Sequence, residues 1–103
     1  MRHERAANIA VKIVAPEHPI MAGIKTDWVT PVDELYVLER MLPGTVALAS
    51  GTSPVDQREH AVAWVNQSGA RIFGTTLGHG NDTWNDPVFQ QLMKQGVRWA
   101  LSR

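Results

Sequence analysis

The chain has 103 residues, of which 44% are hydrophobic and 19% charged, so we expect one small globular domain. Ten basic residues balance ten acidic ones, and without a basic surface we expect no nucleic-acid partner. The absence of cysteine excludes disulfides, thiolate metal sites and cysteine nucleophiles. No apolar run is long enough to cross a membrane and the first residues are polar, so the sequence predicts a cytoplasmic protein without a membrane partner.

The first part of the chain predicts short strands separated by irregular connections. Residues 8–15 alternate with strand spacing and end at Pro16, which cannot donate a ladder hydrogen bond. Residues 17–23 indicate a turn-rich connection with a short helical turn. Residues 33–38 favour a strand, although a helix is also compatible with their pattern.

Further strands are predicted in the second half. Residues 45–50 form one apolar run, and a polar loop follows over residues 56–60. Residues 61–65 and 70–77 predict two strands of a hairpin, in which Gly69 could supply a positive φ.

The last element is predicted to be a helix that begins at Pro87, with Asn85 or Asp86 as its N-cap. Gly96 lies on its apolar face at a cost of about 1 kcal/mol relative to alanine, which close packing against a sheet could offset. Spacings of three and four residues define that face, which contains Phe89, Leu92, Met93, Val97 and Ala100.

The tripeptide of residues 78–80 is the most informative motif for function. It directly follows a predicted strand, and open α/β sheets bind ligands at the edge where strands end. A glycine on each side of His79 leaves the imidazole little steric cover. We interpret His79 as a candidate acid/base residue, and an incidental histidine in a glycine-rich turn is the alternative.

A second candidate group combines two carboxylates with a phenol. In a strand, Glu34 and Tyr36 point to one face and Asp33 to the other. A carboxylate beside a phenol, reached by an imidazole, could move protons on a sugar or carbonyl substrate. The alternative is a solvated acidic edge whose tyrosine packs over the sheet.

Two more side chains have both a functional and a structural interpretation. His18 is held extended by Pro19 and could act as a ligand or base, although a capping or packing role is more common. Trp84 follows the His79 loop and could stack on a sugar ring, although packing at the rim of the core is the more common role.

A metal site is not predicted. Nitrogen and oxygen ligands could come from four side chains, but they lack the compact spacing of known histidine motifs: His18, Glu34, His60 and His79. Glu59 and His60 are instead expected to be solvated in the polar loop.

Several segments, taken in order, resemble the C-terminal half of the ThuA-like (trehalose utilisation) family. The matching segments are residues 18–20 with Gly23, residues 33–36, 61–64 and 71–80, and Phe89 followed by residues 96–100. The resemblance implies an α/β fold, specifically the C-terminal half of a flavodoxin-like sheet similar to class I glutamine amidotransferases, with several short strands and a C-terminal helix.

The resemblance also implies a function in the catabolism of trehalose and related disaccharides through keto-sugars. Carried over to this chain, the pocket would use Glu34, Tyr36 and His79 as catalytic residues. Asp33 and Thr76 would support the substrate, together with Trp84 and His18 where these have a binding role. No cofactor is implied.

Nothing in the chain matches the N-terminal half of the family, so residues 1–103 are interpreted as a single partial domain. Half of a doubly wound sheet would lose a neighbour of its parallel core strand and expose an edge. We therefore expect a homodimer or pairing with a complementary N-terminal half, and a small-molecule sugar as ligand. Three functions stay open: part of a larger or paired enzyme, a non-catalytic carbohydrate-binding or interaction module, and an inactive remnant.

Overall fold

The computed structural model describes residues 2–24, 27–38 and 40–102 and is built around a five-stranded antiparallel sheet. The elements follow in the order β1 (Arg2–His3), β2 (Ala10–Ile13), a 3₁₀ helix (Pro19–Met21), β3 (Trp28–Val29), β4 (Tyr36–Val37), β5 (Thr45–Thr52), β6 (Glu59–Asn66), β7 (Ile72–Thr75), α1 (Asn81–Trp84) and α2 (Pro87–Leu101). The main sheet has the strand order β3-β2-β5-β6-β7, and β1 pairs with β4 in a separate two-stranded ribbon.

The α/β class, the short strands and the closing helix are confirmed, but the expected parallel core strand is not found. Every strand pair in the described ranges is antiparallel. The reason lies in the connections, because β5, β6 and β7 are joined by short loops. A parallel pair needs a crossover of a dozen or more residues, usually a helix.

Three local predictions differ from the structure. Of residues 33–38, only Tyr36–Val37 is a strand, while Asp33 makes an isolated bridge with Ala7. Glu59 and His60 belong to β6 rather than to a loop, because they pair with the end of β5. The β6–β7 hairpin is confirmed, but Gly69 is not among the glycines with positive φ in the described residues.

Helix α2 covers one face of the sheet and closes the core. The Asp86 side chain accepts a hydrogen bond from the Val88 amide at 3.1 Å, so Asp86 is the N-cap, and Pro87 is the first helical residue as predicted. The buried stripe of α2 consists of Phe89, Leu92, Gly96 and Trp99.

The packing of Gly96 against the sheet is confirmed, but the predicted burial of Val97 is wrong. A Cβ at Gly96 would lie 2.5 Å from ring atoms of Phe73 in β7. Val97 is 49% exposed, because one helical step rotates it away from the stripe that contains Gly96. No helix in the described part of the chain has the length and apolar character to cross a membrane.

Candidate functional site

Asp33 fixes the loop that carries His79. Its buried carboxylate accepts hydrogen bonds from the Gly78 amide at 2.9 Å, the Gly80 amide at 3.0 Å and the Thr83 hydroxyl at 2.8 Å. The Glu34 amide donates a fourth hydrogen bond at 2.8 Å. Asp33 thus supports the site by holding the loop, and its carboxylate oxygens are already engaged by the protein.

The hydrogen bonds also decide the charge of Asp33. Burial by itself raises the pKa of this carboxyl group, but the bonds from Gly78, Glu34, Thr83 and Gly80 outweigh burial and lower the pKa below its ordinary value. Asp33 is therefore a carboxylate at neutral pH. An ionised acceptor makes stronger hydrogen bonds than a neutral one, which favours a rigid loop.

Two glycines allow the loop to approach Asp33. Gly78 has a φ of +105°, a conformation that other residues rarely adopt. A Cβ at Gly80 would collide with the carbonyl oxygen of Val32. The glycines on either side of His79 are therefore required by the geometry of the turn.

The structure brings together the three predicted catalytic side chains. His79 Nε2 lies 3.4 Å from Glu34 Oε2, and the Tyr36 hydroxyl donates a hydrogen bond to Glu34 Oε1 at 3.3 Å. The Glu34 side chain is 17% exposed, whereas that of His79 is 56% exposed. An imidazole that is open to solvent and backed by a partly buried carboxylate is suited to proton transfer.

The surroundings keep Tyr36 in its neutral form. Removal of the phenol from water raises its pKa, and the neighbouring Glu34 carboxylate raises the pKa further. At neutral pH Tyr36 therefore keeps its proton, which it donates to Glu34, and its oxygen can accept a hydrogen bond from a sugar hydroxyl.

His3 joins this group, although no sequence pattern pointed to it. Its Nδ1 lies 3.3 Å from Glu34 Oε1, and its ring centroid lies 5.4 Å from that of Tyr36. The antiparallel pairing of β1 with β4 places His3 opposite Tyr36. A histidine in a short polar segment has no spacing pattern, so only the strand pairing reveals it.

Trp84 lies beside the His79 loop and is 53% exposed. Its indole N–H donates a hydrogen bond to the Gly78 carbonyl at 2.7 Å, and its ring packs edge-on against Phe89 with centroids 5.0 Å apart. Packing at the rim of the core is therefore its observed structural role, while part of its surface stays open to solvent.

Thr76, the second predicted support, lies between β7 and the His79 loop. Its Oγ1 is buried and makes no hydrogen bond to any residue that the structure describes. A role for this hydroxyl in substrate binding stays a prediction.

His18 is not brought to the site. Its Nδ1 accepts a hydrogen bond from the Ile20 amide at 3.2 Å, so it caps the 3₁₀ helix, and its ring packs against Trp99. Phe89, which contacts Trp84, lies ten residues before Trp99 on α2, a rise of about 15 Å. The capping and packing interpretation of His18 agrees with these contacts.

His60 also lies apart from the site. Its Nε2 is 3.0 Å from Asp56 Oδ2, and its side chain is 15% exposed, so it is not a solvated loop residue. Among residues 2–24, 27–38 and 40–102, no three histidine, aspartate or glutamate side chains are grouped so as to hold a metal ion.

The site of Glu34 and His79 lies apart from one hollow in the surface of the protein. That hollow, of about 420 Å³, lies between β2, β3 and the end of β5 and is lined by residues that include Lys12, Asp27 and Val29. Neither Glu34 nor His79 lines it.

Comparisons with known proteins point to one family. The family model ThuA, described as trehalose utilisation, matches residues 1–100. A crystal structure of a ThuA-like protein from Bacteroides uniformis covers all of this chain with a TM-score of 0.82 at 19% identity. One from Parabacteroides merdae covers 96% with a TM-score of 0.80 at 29% identity. Among curated proteins, none matches the chain significantly.

This chain spans 47% of the length of the Bacteroides uniformis protein and 40% of that of the Parabacteroides merdae protein. The fold is therefore that of one part of a ThuA-like domain, the flavodoxin-like class that the sequence resemblance implied. Because the family model matches nearly the whole chain, the protein belongs to the ThuA (trehalose utilisation) family.

Proposed function

We propose that this chain acts in the catabolism of a sugar, a disaccharide such as trehalose or a keto-sugar made from it, as part of a larger or paired enzyme. The observation that carries the proposal is the convergence of His79 and Tyr36 on Glu34, whose carboxylate oxygens lie 3.4 Å from the imidazole and 3.3 Å from the phenol. Membership of the trehalose utilisation family supports the substrate class.

Each of the three side chains has a chemical role in this proposal. Glu34 and His79 exchange a proton with the substrate as an acid/base pair, since the imidazole faces solvent and the carboxylate supports it. Tyr36 orients a hydroxyl of the sugar by accepting its hydrogen bond, since its own O–H is donated to Glu34. Asp33 holds the loop in place and does not contact the sugar.

Turnover by a His79→Ala variant tests the proposal. The purified chain, alone and together with a complementary N-terminal half of a ThuA-like domain, is assayed with trehalose and with its 3-keto derivative, and we expect the variant to lose at least ~100-fold of the rate. His60→Ala is the control, because His60 is paired with Asp56 outside the site. Unchanged turnover in His79→Ala would remove His79 from the mechanism.

A second candidate function is a non-catalytic carbohydrate-binding module. The observation that favours it is the half-exposed indole of Trp84 beside the site, since a flat aromatic face complements the C–H face of a sugar ring. A trehalose titration followed by isothermal titration calorimetry measures binding without relying on the tryptophan that is replaced. Binding that survives Glu34→Gln but is lost in Trp84→Leu would favour this candidate over the catalytic one.

Pairing with another chain is part of this proposal. The chain spans less than half of each of two solved ThuA-like proteins, which supports the idea that a complementary half or a second copy adds to its surface. Sedimentation equilibrium at several concentrations tests for self-association. A monomer at all concentrations, together with full activity alone, would contradict the paired enzyme.

A further inference from the structure

His3 is the least expected member of the site. It is the second residue of β1, and its side chain is 55% exposed, close to the value for His79. Strand alternation places Arg2 and Glu4 on the opposite face of this segment. There the Glu4 side chain accepts a hydrogen bond from Ser53 and lies 3.7 Å from Arg2. These two charged side chains therefore have partners on the face opposite His3.

The contacts of His3 determine which ring nitrogen carries the proton. Its Nδ1 faces Glu34 Oε1 at 3.3 Å and the Glu4 carbonyl oxygen at 3.2 Å. Both of these oxygens accept hydrogen bonds and neither can donate one, so Nδ1 must hold the hydrogen. In the neutral ring, Nε2 is then the basic nitrogen and lies on the side away from the carboxylate.

His79 lies at the other oxygen of the same carboxylate. Its Nε2 is 3.4 Å from Glu34 Oε2, close enough for an ion pair when the imidazole carries a proton. One carboxylate thus lies beside two imidazoles, one at each oxygen. A carboxylate in this position stabilises an imidazolium, which is the form that delivers a proton.

We infer that His3 is a further acid/base residue of the site and works with His79 on a substrate in which a C–H group adjoins a carbonyl. The inference rests on the proposed function and names its reaction class, proton transfer next to a carbonyl. One imidazole in its neutral form removes the proton from carbon. The other, protonated and stabilised by Glu34, delivers a proton to the carbonyl oxygen.

The step is balanced without any further reagent. The C–H bond breaks, its electron pair forms the carbon–carbon double bond, and the carbonyl π pair takes the new proton as O–H. The product is an enol with the same atoms as the substrate, so no oxidant or reductant is needed. Reprotonation at carbon regenerates both imidazoles in their starting forms.

Solvent hydrogen exchange measures this step directly. The purified chain is incubated with 3-ketotrehalose in D₂O, and proton NMR follows the loss of the C–H signals beside the carbonyl. We expect His3→Gln and His79→Gln each to lower the exchange rate at least ~100-fold, and His60→Gln to leave it unchanged. Circular dichroism of each variant verifies that it is folded.

The outcomes separate this inference from the proposed function. Exchange that is lost in His79→Gln but retained in His3→Gln would overturn the role of His3 and leave the proposed function standing. No exchange by the unaltered chain, either alone or together with a complementary N-terminal half of a ThuA-like domain, would overturn both the keto-sugar reaction and the role of His3 in it.

A second measurement does not depend on substrate. Nitrogen-15 NMR of labelled histidine is expected to show the Nδ1–H form for neutral His3, because the Glu4 carbonyl and Glu34 both lie at that nitrogen. In Glu34→Ala the imidazole signals of His3 and His79 should both move, since each loses the carboxylate beside it, whereas Glu59→Ala should change neither. His3 signals that do not move in Glu34→Ala, or the Nε2–H form of His3 in the unaltered chain, would overturn the placement of His3 beside Glu34.

Discussion

Gly80 donates its backbone N–H to Asp33 Oδ1 across 47 positions of the sequence, at 3.0 Å. This bond and that from Gly78 tie both ends of the His79 turn to one buried carboxylate. Because Glu34 follows Asp33 directly, the same anchor sets the position of the turn relative to the Glu34 carboxylate. The contact between His79 and Glu34 therefore depends on a residue that cannot itself reach a ligand.

Replacement of Asp33 by Asn should destabilise the fold. An amide has one acceptor oxygen, and its NH₂ group would face N–H or O–H donors that Asp33 now satisfies. We expect a loss of about 3 kcal/mol in the free energy of unfolding, measured by urea titration. Asp82→Asn, at an exposed position of α1, should change it by less than about 0.5 kcal/mol. A loss in Asp33→Asn no larger than in this control would contradict the anchoring role.

Asp33 should also make stability depend on acid pH. Its pKa is lowered in the folded state, so its contribution is fully present above the ordinary aspartate pKa near ~3.9 and is lost as pH falls through the folded-state value. The stability difference between the unaltered chain and Asp33→Asn should therefore narrow below about pH 4. A difference that stays constant from pH 6 to pH 3 would show that Asp33 is not responsible.

His18 should make the free energy of unfolding depend on pH in a higher range than Asp33 does. Burial lowers the pKa of its imidazole; Glu17 opposes this effect and Arg71 adds to it. The fold prefers neutral His18, so stability is present above the ordinary histidine pKa near ~6.5 and is lost as pH falls through the folded-state value. Denaturant titrations at pH 8 and pH 5 measure this loss.

Two substitutions separate the cap of His18 from its charge. His18→Ala removes the acceptor for the Ile20 amide and should cost about 1 kcal/mol at pH 8. His18→Asn can keep that acceptor but does not ionise, so its stability should fall less between pH 8 and pH 5 than that of the unaltered chain. Parallel pH profiles for the Asn variant and the unaltered chain would refute this assignment.

Gly96 in α2 should not tolerate a methyl group. Alanine gains about 1 kcal/mol of helix propensity over glycine, but its Cβ would lie 2.5 Å from the Phe73 ring. Overpacking of this kind costs about 1–3 kcal/mol, so we expect Gly96→Ala to lose about 1 kcal/mol net by urea titration.

A double substitution identifies the cause of that loss. In a Phe73→Ala background the ring is absent, and Gly96→Ala should then stabilise the helix by up to about 1 kcal/mol. Gly69→Ala is the control for the substitution itself, since nothing lies within 4 Å of a Cβ there. Equal effects of Gly96→Ala in both backgrounds would mean that Phe73 is not the obstacle.

The local elements followed from the sequence because local physics determines them. Pro87 and Asp86 begin α2 as predicted, since a proline and a side-chain acceptor satisfy the first turn without help from distant residues. The alternation in residues 8–15 predicted β2, since one face of that strand must be buried, and the short apolar run of residues 45–50 predicted β5. The motif around His79 and the carboxylate of Glu34 could likewise be singled out by residue type.

Long-range pairing could not be read from the sequence. The segments that meet in space determine the antiparallel order of the sheet and the pairing of β1. They also determine that His3 lies beside Glu34. The role of Asp33 could not be predicted for the same reason. The sequence predicts an acidic side chain near the site, but it does not predict that the loop amides donate hydrogen bonds to that carboxylate. Residue type and spacing thus determined which groups could carry chemistry. Only the tertiary structure decided which carboxylate faces the imidazoles and which is buried as an anchor, since burial and hydrogen-bond partners come from residues far apart in the chain.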